Sequence, residues 1–178
     1  MLEETASDKP APGGGSIAAV VVAMAAALVE KTAVLSRDWG DASGAVAQAR
    51  KLRTRAVPLA EEDAIAYGDV IAAMRSTRDK PVEVRDHELG QALSLAAEVP
   101  LLIAETAADV AELAATAAER GNPNLRGDAA TAAMLAAAAA RSAANLVEIN
   151  LGTTPDDERV ERAARASKAA SASADRAR

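Results

Sequence analysis

The chain has 178 residues and a formal net charge of −6; half of it is hydrophobic, but only 1% is aromatic. That length suits one domain, the interspersed charges leave no basic footprint for nucleic acid, and the scarcity of aromatic rings removes a base-stacking surface. With no cysteine, disulfides, thiolate catalysis and cysteine metal sites are excluded.

Alanine is the most abundant residue, which favours helix and lets helix axes approach closely. A core of alanine with scattered Leu, Val, Ile and Met buries little area per residue, so a second copy of the chain is expected to complete it.

Residues 1–11 read as a loose lead-in ending in Pro10-Ala11-Pro12. A first helix is predicted from Ser16 to about Leu35, behind the turn Gly13-Gly14-Gly15 and with Ser16 as its N-cap. Its apolar run, Ile17 to Val29, is shorter than the ~20 residues that cross a bilayer. The acidic Glu3, Glu4 and Asp8 ahead of it are unlike the basic start of a signal peptide. No membrane association and a cytoplasmic location are therefore expected. Asp38 to Gly44 reads as a turn, and a second helix follows from about Ala45 to Arg75, kinked or restarted by Pro58.

After a polar loop containing Pro81, a third helix is predicted from about Val84 to Glu119, bent at Pro100. Gly121 suits the C′ position and Pro123 reinforces the stop. A fourth helix spans roughly Leu125 to Leu151 and ends at Gly152 to Pro155. Asp156 to Arg178 forms a polar, alanine-rich last helix expected to fray. No stretch alternates like a strand and no repeat of fixed period is visible. The expectation is one all-α domain over residues 1–178, a dimeric bundle of about five helices.

For chemistry, the single histidine, His87, has no partner at metal-site spacing and reads as a surface residue, so no metal is expected. Three consecutive glycines before a helix are costly to order. They present either backbone N–H groups and a helix N-terminus to a ligand, or bare backbone to a close neighbour; the residues alone leave both open. Asp63 and Tyr67, one turn apart, share a helix face within the acidic run Glu61-Glu62-Asp63. Asn122 and Asn124 precede Asp128, which sits where it caps or charges the next helix start, and Asn145 and Asn150 interrupt an otherwise apolar helix.

These segments in this order resemble the cyclodeaminase/cyclohydrolase family. That helical domain is found at the C-terminus of formiminotransferase-cyclodeaminase and as free-standing methenyltetrahydrofolate cyclohydrolases. The resemblance rests on Pro10-Ala11-Pro12-Gly13-Gly14-Gly15-Ser16, Leu59-Ala60-Glu61-Glu62-Asp63 with Tyr67, and Ala97-Glu98-Val99-Pro100-Leu101. It continues through Gly121-Asn122-Pro123-Asn124 with Asp128, and through Asn145-Leu146-Val147-Glu148-Ile149-Asn150-Leu151. Two features depart from it: Gly127 stands where a serine is common, and residues 75–81 carry no Leu-Pro-Lys step.

The resemblance implies a tetrahydrofolate one-carbon substrate and no further cofactor. Asp63 and Asp128 are the implied catalytic carboxylates, with Gly13, Gly14, Gly15, Ser16, Tyr67, Asn122, Asn124, Asn145 and Asn150 as substrate contacts. Arg50 and Arg53 face either the glutamate tail or solvent. The free-standing form favours hydrolysis of methenyltetrahydrofolate. The alternatives are cyclodeamination of formiminotetrahydrofolate and a non-catalytic helical dimer that binds folate or a protein partner. A cleft shared by the glycine turn and both aspartates is the expectation that separates an enzyme from a bare scaffold.

Overall fold

The computed structural model describes residues 1–152 and 156–178, and every regular element in them is helical. The helices are α1 (Leu2–Thr5), α2 (Gly14–Val34), α3 (Ala42–Ser76), α4 (Val82–Ala96), α5 (Glu98–Arg120), α6 (Arg126–Asn150) and α7 (Glu158–Arg176). A 3-10 turn, Pro123–Leu125, leads into α6. The all-α class is as the sequence predicts. The expected stop at Gly152 to Pro155 falls largely outside the described residues.

Helix α2 is packed against α3, α5 and α6. Ala18, Ala19, Val22, Ala25, Ala26, Val29 and Ala33 are buried along it at helical spacing. They meet similarly small faces, Ala104, Ala107 and Ala111 on α5 and Ala132, Ala136 and Ala140 on α6. By length and mean hydropathy two helices, Gly14–Val34 at 2.0 and the segment Pro123–Asn150 at 1.2, are apolar enough to cross a membrane. The expectation that no segment reaches that length is therefore corrected. Burial between neighbouring helices accounts for much of that apolar character.

Four further expectations need correction. Helix α2 begins two residues early: Gly13 is its N-cap, and Ser16 lies buried inside the first turn. Of the two outcomes expected at Pro58, a kink or a restart, the restart is overturned: α3 runs on through the proline, whose residue is on the exposed side of the helix. The carbonyl it deprives of a donor belongs to Thr54, itself an exposed residue. The long third helix is two helices, α4 and α5, which meet at Ala97. Gly121 caps α5 with an extended backbone (φ −78°) rather than a left-handed one. A side chain there would press first on the Ala117 carbonyl oxygen and then on Ser36 Oγ, 2.9 Å from the Cβ position, so close approach is what requires glycine.

The terminal helix is docked rather than frayed. Ala163, Ala166, Ala170 and Ala174 of α7 are buried against α5 and α6. Arg162 pairs with Glu105 at 2.8 Å, and Arg176 pairs with Glu112 and Glu119. At its start Arg159 bonds Asp157, Glu98, the Ser94 carbonyl and the Ser94 hydroxyl. The first turn of α7 is thereby tied to the joint between α4 and α5.

Cores set by methyl groups resist enlargement. Ala107→Leu, at a position with no exposed surface, is expected to cost about 1–3 kcal/mol by forcing α5 off its neighbours. Urea denaturation measures this, and an unchanged midpoint would show that the contact has slack.

Candidate functional site

A cleft of about 300 Å³ opens at the N-terminal end of α2. Its floor is the glycine turn, Gly13 to Gly15; its walls are Asp63 and Tyr67 of α3, Ala96 and Pro100 at the α4–α5 joint, and Leu146, Ile149 and Asn150 of α6. Pro10 and Ala11 of the lead-in close one side.

Asp63 is seated directly on the start of α2. Its Oδ2 accepts a 2.9 Å hydrogen bond from the Ser16 hydroxyl, and the carboxylate also accepts from the Ser16 backbone N–H. The first bond inside α2 runs from Ile17 N to Gly13 O. The N–H groups of Gly14 and Gly15 therefore precede the hydrogen-bonded ladder, at the positive end of the helix dipole.

The structure gives the three glycines separate reasons. None has a positive φ, so left-handed backbone is not one of them. A Cβ on Gly15 would fall within 2.8 Å of Cγ and both oxygens of Asp63, whereas Gly13 and Gly14 have nothing within 4 Å of that position. Gly15 makes room for the carboxylate, and Gly13 and Gly14 leave the cleft floor bare.

Burial pushes the Asp63 carboxyl above its ordinary range, and the two hydrogen bonds from Ser16 offset this only in part. A partly desolvated carboxylate with a raised value is a better proton acceptor at neutral pH than a surface aspartate. Tyr67, one turn on, places its half-exposed ring at the mouth.

Asn150 reaches the cleft from α6. Pro100 has no N–H to give the Ala96 carbonyl one turn before it, and Asn150 Nδ2 supplies that bond at 3.0 Å. Here the orphaned carbonyl lies beside a buried proline, and the donor that answers it is the Asn150 amide.

The remaining expected contacts lie elsewhere. Within one chain, Asp128 does not join Asp63: it pairs with Lys31 at 2.8 Å near the far end of α2. Residues 15 and 31 are ~24 Å apart along a helix at 1.5 Å per residue. Asn122 and Asn124 are at that same far end. Asn122 N donates to Ser36 Oγ, Asn122 Nδ2 donates to the Leu35 carbonyl, and Asn122 Oδ1 accepts from Asn124 N. Both asparagines border a separate hollow that contains Trp39. The cleft shared by the glycine turn and both aspartates is thus not formed within one chain.

Asn145 is exposed and does not line the cleft, to which α6 contributes residues 146, 149 and 150. Arg50 and Arg53 both bond Glu30 on the outer α2–α3 face. His87 is exposed and bonds Gln91. In the departing segment Lys80 pairs with Glu88 at 2.7 Å. At Gly127 a Cβ would meet nothing within 4 Å, so a serine fits there without strain. The cleft residues not singled out in the sequence are Pro10, Ala11, Ala96, Pro100, Leu146 and Ile149. Their signals were membership of the resemblance motifs, for all but Ala96, and one-turn spacing to Asn150 for Leu146.

Two results test this assignment. Gly15→Ala is expected to displace Asp63 and lower turnover at least about tenfold, more than Gly14→Ala does. Equal effects on turnover would remove the special contact. The second result is a pH dependence. A carboxyl with a raised folded-state value binds its proton more readily in the folded than in the unfolded chain. Its contribution to stability is present below the unfolded value and is lost as pH rises through the folded one. Relative to Asp63→Asn, the wild type should therefore gain thermal stability as pH falls through that window. Paired melting curves measure it, and a gap that moves the other way contradicts the burial of Asp63.

The profile of the formiminotransferase-cyclodeaminase family matches residues 1–169. The chain is 32% identical over 159 residues to a methenyltetrahydrofolate cyclohydrolase of Methylorubrum extorquens, covering 84% of this chain and 76% of that protein. It is 30% identical over 166 residues to the formimidoyltransferase-cyclodeaminase of Sus scrofa, covering 88% of this chain but 31% of the pig protein. Among solved structures, formiminotetrahydrofolate cyclodeaminase from Thermotoga maritima superposes with a TM-score of 0.86 at 28% identity, over 99% of this chain and 90% of that one.

Proposed function

Because the chain belongs to the formiminotransferase-cyclodeaminase family, we propose that it hydrolyses 5,10-methenyltetrahydrofolate to 10-formyltetrahydrofolate. The observation that carries the reading is Asp63, a partly buried carboxylate in a cleft walled by the glycine turn. The likeness to the Methylorubrum cyclohydrolase over most of both chains supports this choice of reaction.

The bridging carbon of the substrate is a cationic amidinium. Asp63 in its ionised form stabilises that cation and accepts a proton as water attacks the carbon. The product of attack is a tetrahedral carbinolamine. The carboxyl then returns its proton to N5 as the carbon–N5 bond breaks. The formyl group stays on N10, and one proton is released overall. Gly14 and Gly15 N–H groups receive acceptor atoms of the ligand, and Tyr67 covers the ring at the mouth. The steps require no metal and no cofactor beyond the folate.

A second reading has its own support, the fold shared with the Thermotoga cyclodeaminase. In that reaction ring closure expels ammonia, and the same carboxyl protonates the leaving nitrogen. The assay that separates them follows methenyltetrahydrofolate absorbance and ammonia release in parallel. Hydrolysis predicts decay of methenyltetrahydrofolate, lost in Asp63→Asn, and no ammonia from formiminotetrahydrofolate. Absence of both turnover and folate binding in the wild type would favour the non-catalytic scaffold instead.

The protein works as a cytoplasmic homodimer on this reading. An apolar groove between α2 and α6, lined by Ile17, Val21, Leu135 and Ala138, supports pairing, with Met24 and Met134 exposed nearby. A dimer formed there also covers apolar surface of the two helices that have span-like hydropathy. Nucleic acid is not a partner, in keeping with the acidic charge. Sedimentation of wild type and Leu135→Glu tests the face: the charge should yield monomer.

A further inference from the structure

Asn150 and Pro100 form a pair whose roles extend beyond lining the cleft. The Pro100 ring leaves the Ala96 carbonyl without its helical donor, and the Asn150 amide fills that vacancy through Nδ2 at 3.0 Å. An amide has two faces of opposite character, and most exposed asparagines are free to present either. At Asn150 the choice is made: turning Nδ2 away would leave the Ala96 carbonyl unsatisfied beside a buried proline. Oδ1 is then left over together with the second Nδ2 hydrogen, and Oδ1 accepts no hydrogen bond among the described residues.

We propose that the proline at 100 fixes Asn150 with its carbonyl oxygen as a ligand acceptor, making Asn150 a specificity-determining residue for the N–H donor edge of a bicyclic amidine ring such as a pterin. This rests on the folate reading above. It adds a polarity to the cleft beside the reacting Asp63: an acceptor on the α6 wall, Asn150, and backbone donors on the α2 floor. A ring N–H edge matches that wall, and the ring's carbonyl or nitrogen matches the floor. A ligand edge bearing only acceptors leaves Oδ1 of Asn150 unpaired, which discriminates among heterocycles of the same size.

A purely structural role for Asn150 makes a different prediction, and a double variant separates the two. In N150L the Ala96 carbonyl loses its donor and the cleft loses its acceptor. In P100A a backbone N–H returns to satisfy that carbonyl, so P100A/N150L has no orphaned group. Thermal midpoints and calorimetric dissociation constants for 5-formyltetrahydrofolate, a stable folate probe, are measured for all four proteins. The expected pattern is a lowered midpoint in N150L that recovers in the double variant. Folate affinity should stay about tenfold weaker in the double variant than in P100A, the size of one lost hydrogen bond to a ligand. Recovery of affinity together with stability would reduce Asn150 to a strut and overturn the inference while leaving the folate reading intact. Failure of the wild type to bind the probe would overturn the folate reading, and this inference with it.

Discussion

Methyl-to-methyl contact between α2, α5 and α6 sets how near the helix axes lie, and the positions of the other parts follow from that spacing. Alanine faces let backbones approach where larger side chains would hold them apart. The cost is a core with little apolar area per residue, in which a few larger groups such as Val22, Val29, Leu101 and Ile103 supply much of the burial. The same small-residue logic continues beyond the apolar core. At the start of α2 the approaching group is the carboxylate of Asp63, and the small residue that admits it is Gly15.

The two helix-interior prolines show how surroundings decide what a residue does. Pro58 lies on the wet side of α3 and leaves the helix continuous. Pro100 is buried three residues into α5, just beyond the break at Ala97, and the carbonyl it orphans is answered by another helix. Sequence registers both as helix disturbances of equal weight, because proline chemistry is local and solvent exposure is not. The docking of α7 was illegible for a similar reason. Its surface-like composition hides a narrow alanine face at residues 163, 166, 170 and 174, and its arginines find partners only once α5 lies beside it.

The site was legible in part, and the division is physical. Asp63 and Tyr67 share a face because they are one turn apart, and the glycine turn adjoins them in the fold. Asn150 was visible as a polar interruption on an apolar helix. Asn145 carried the same signal but points outward, since a shift of five residues turns a helix face through well over a right angle. Asp128, Asn122 and Asn124 stood in the right order along the chain, yet order does not say at which end of a bundle a segment finishes. The length of α2 puts them at the opposite end within one chain, where Lys31, Ser36 and Leu35 engage Asp128 and Asn122.

The contact between Gly15 and Asp63 also bears on how such a chain drifts over generations. The two positions are forty-eight apart in sequence and occupy one volume, so neither is free to change by itself in the enlarging direction. A descendant that kept the carboxylate would keep the glycine, while one that first exchanged Asp63 for alanine or serine would open position 15 to side chains. Residue 15 thereby becomes a record of residue 63. Among diverging copies of this fold, a methyl group in the third place of the glycine run would mark a lineage in which the carboxylate had already been displaced or lost.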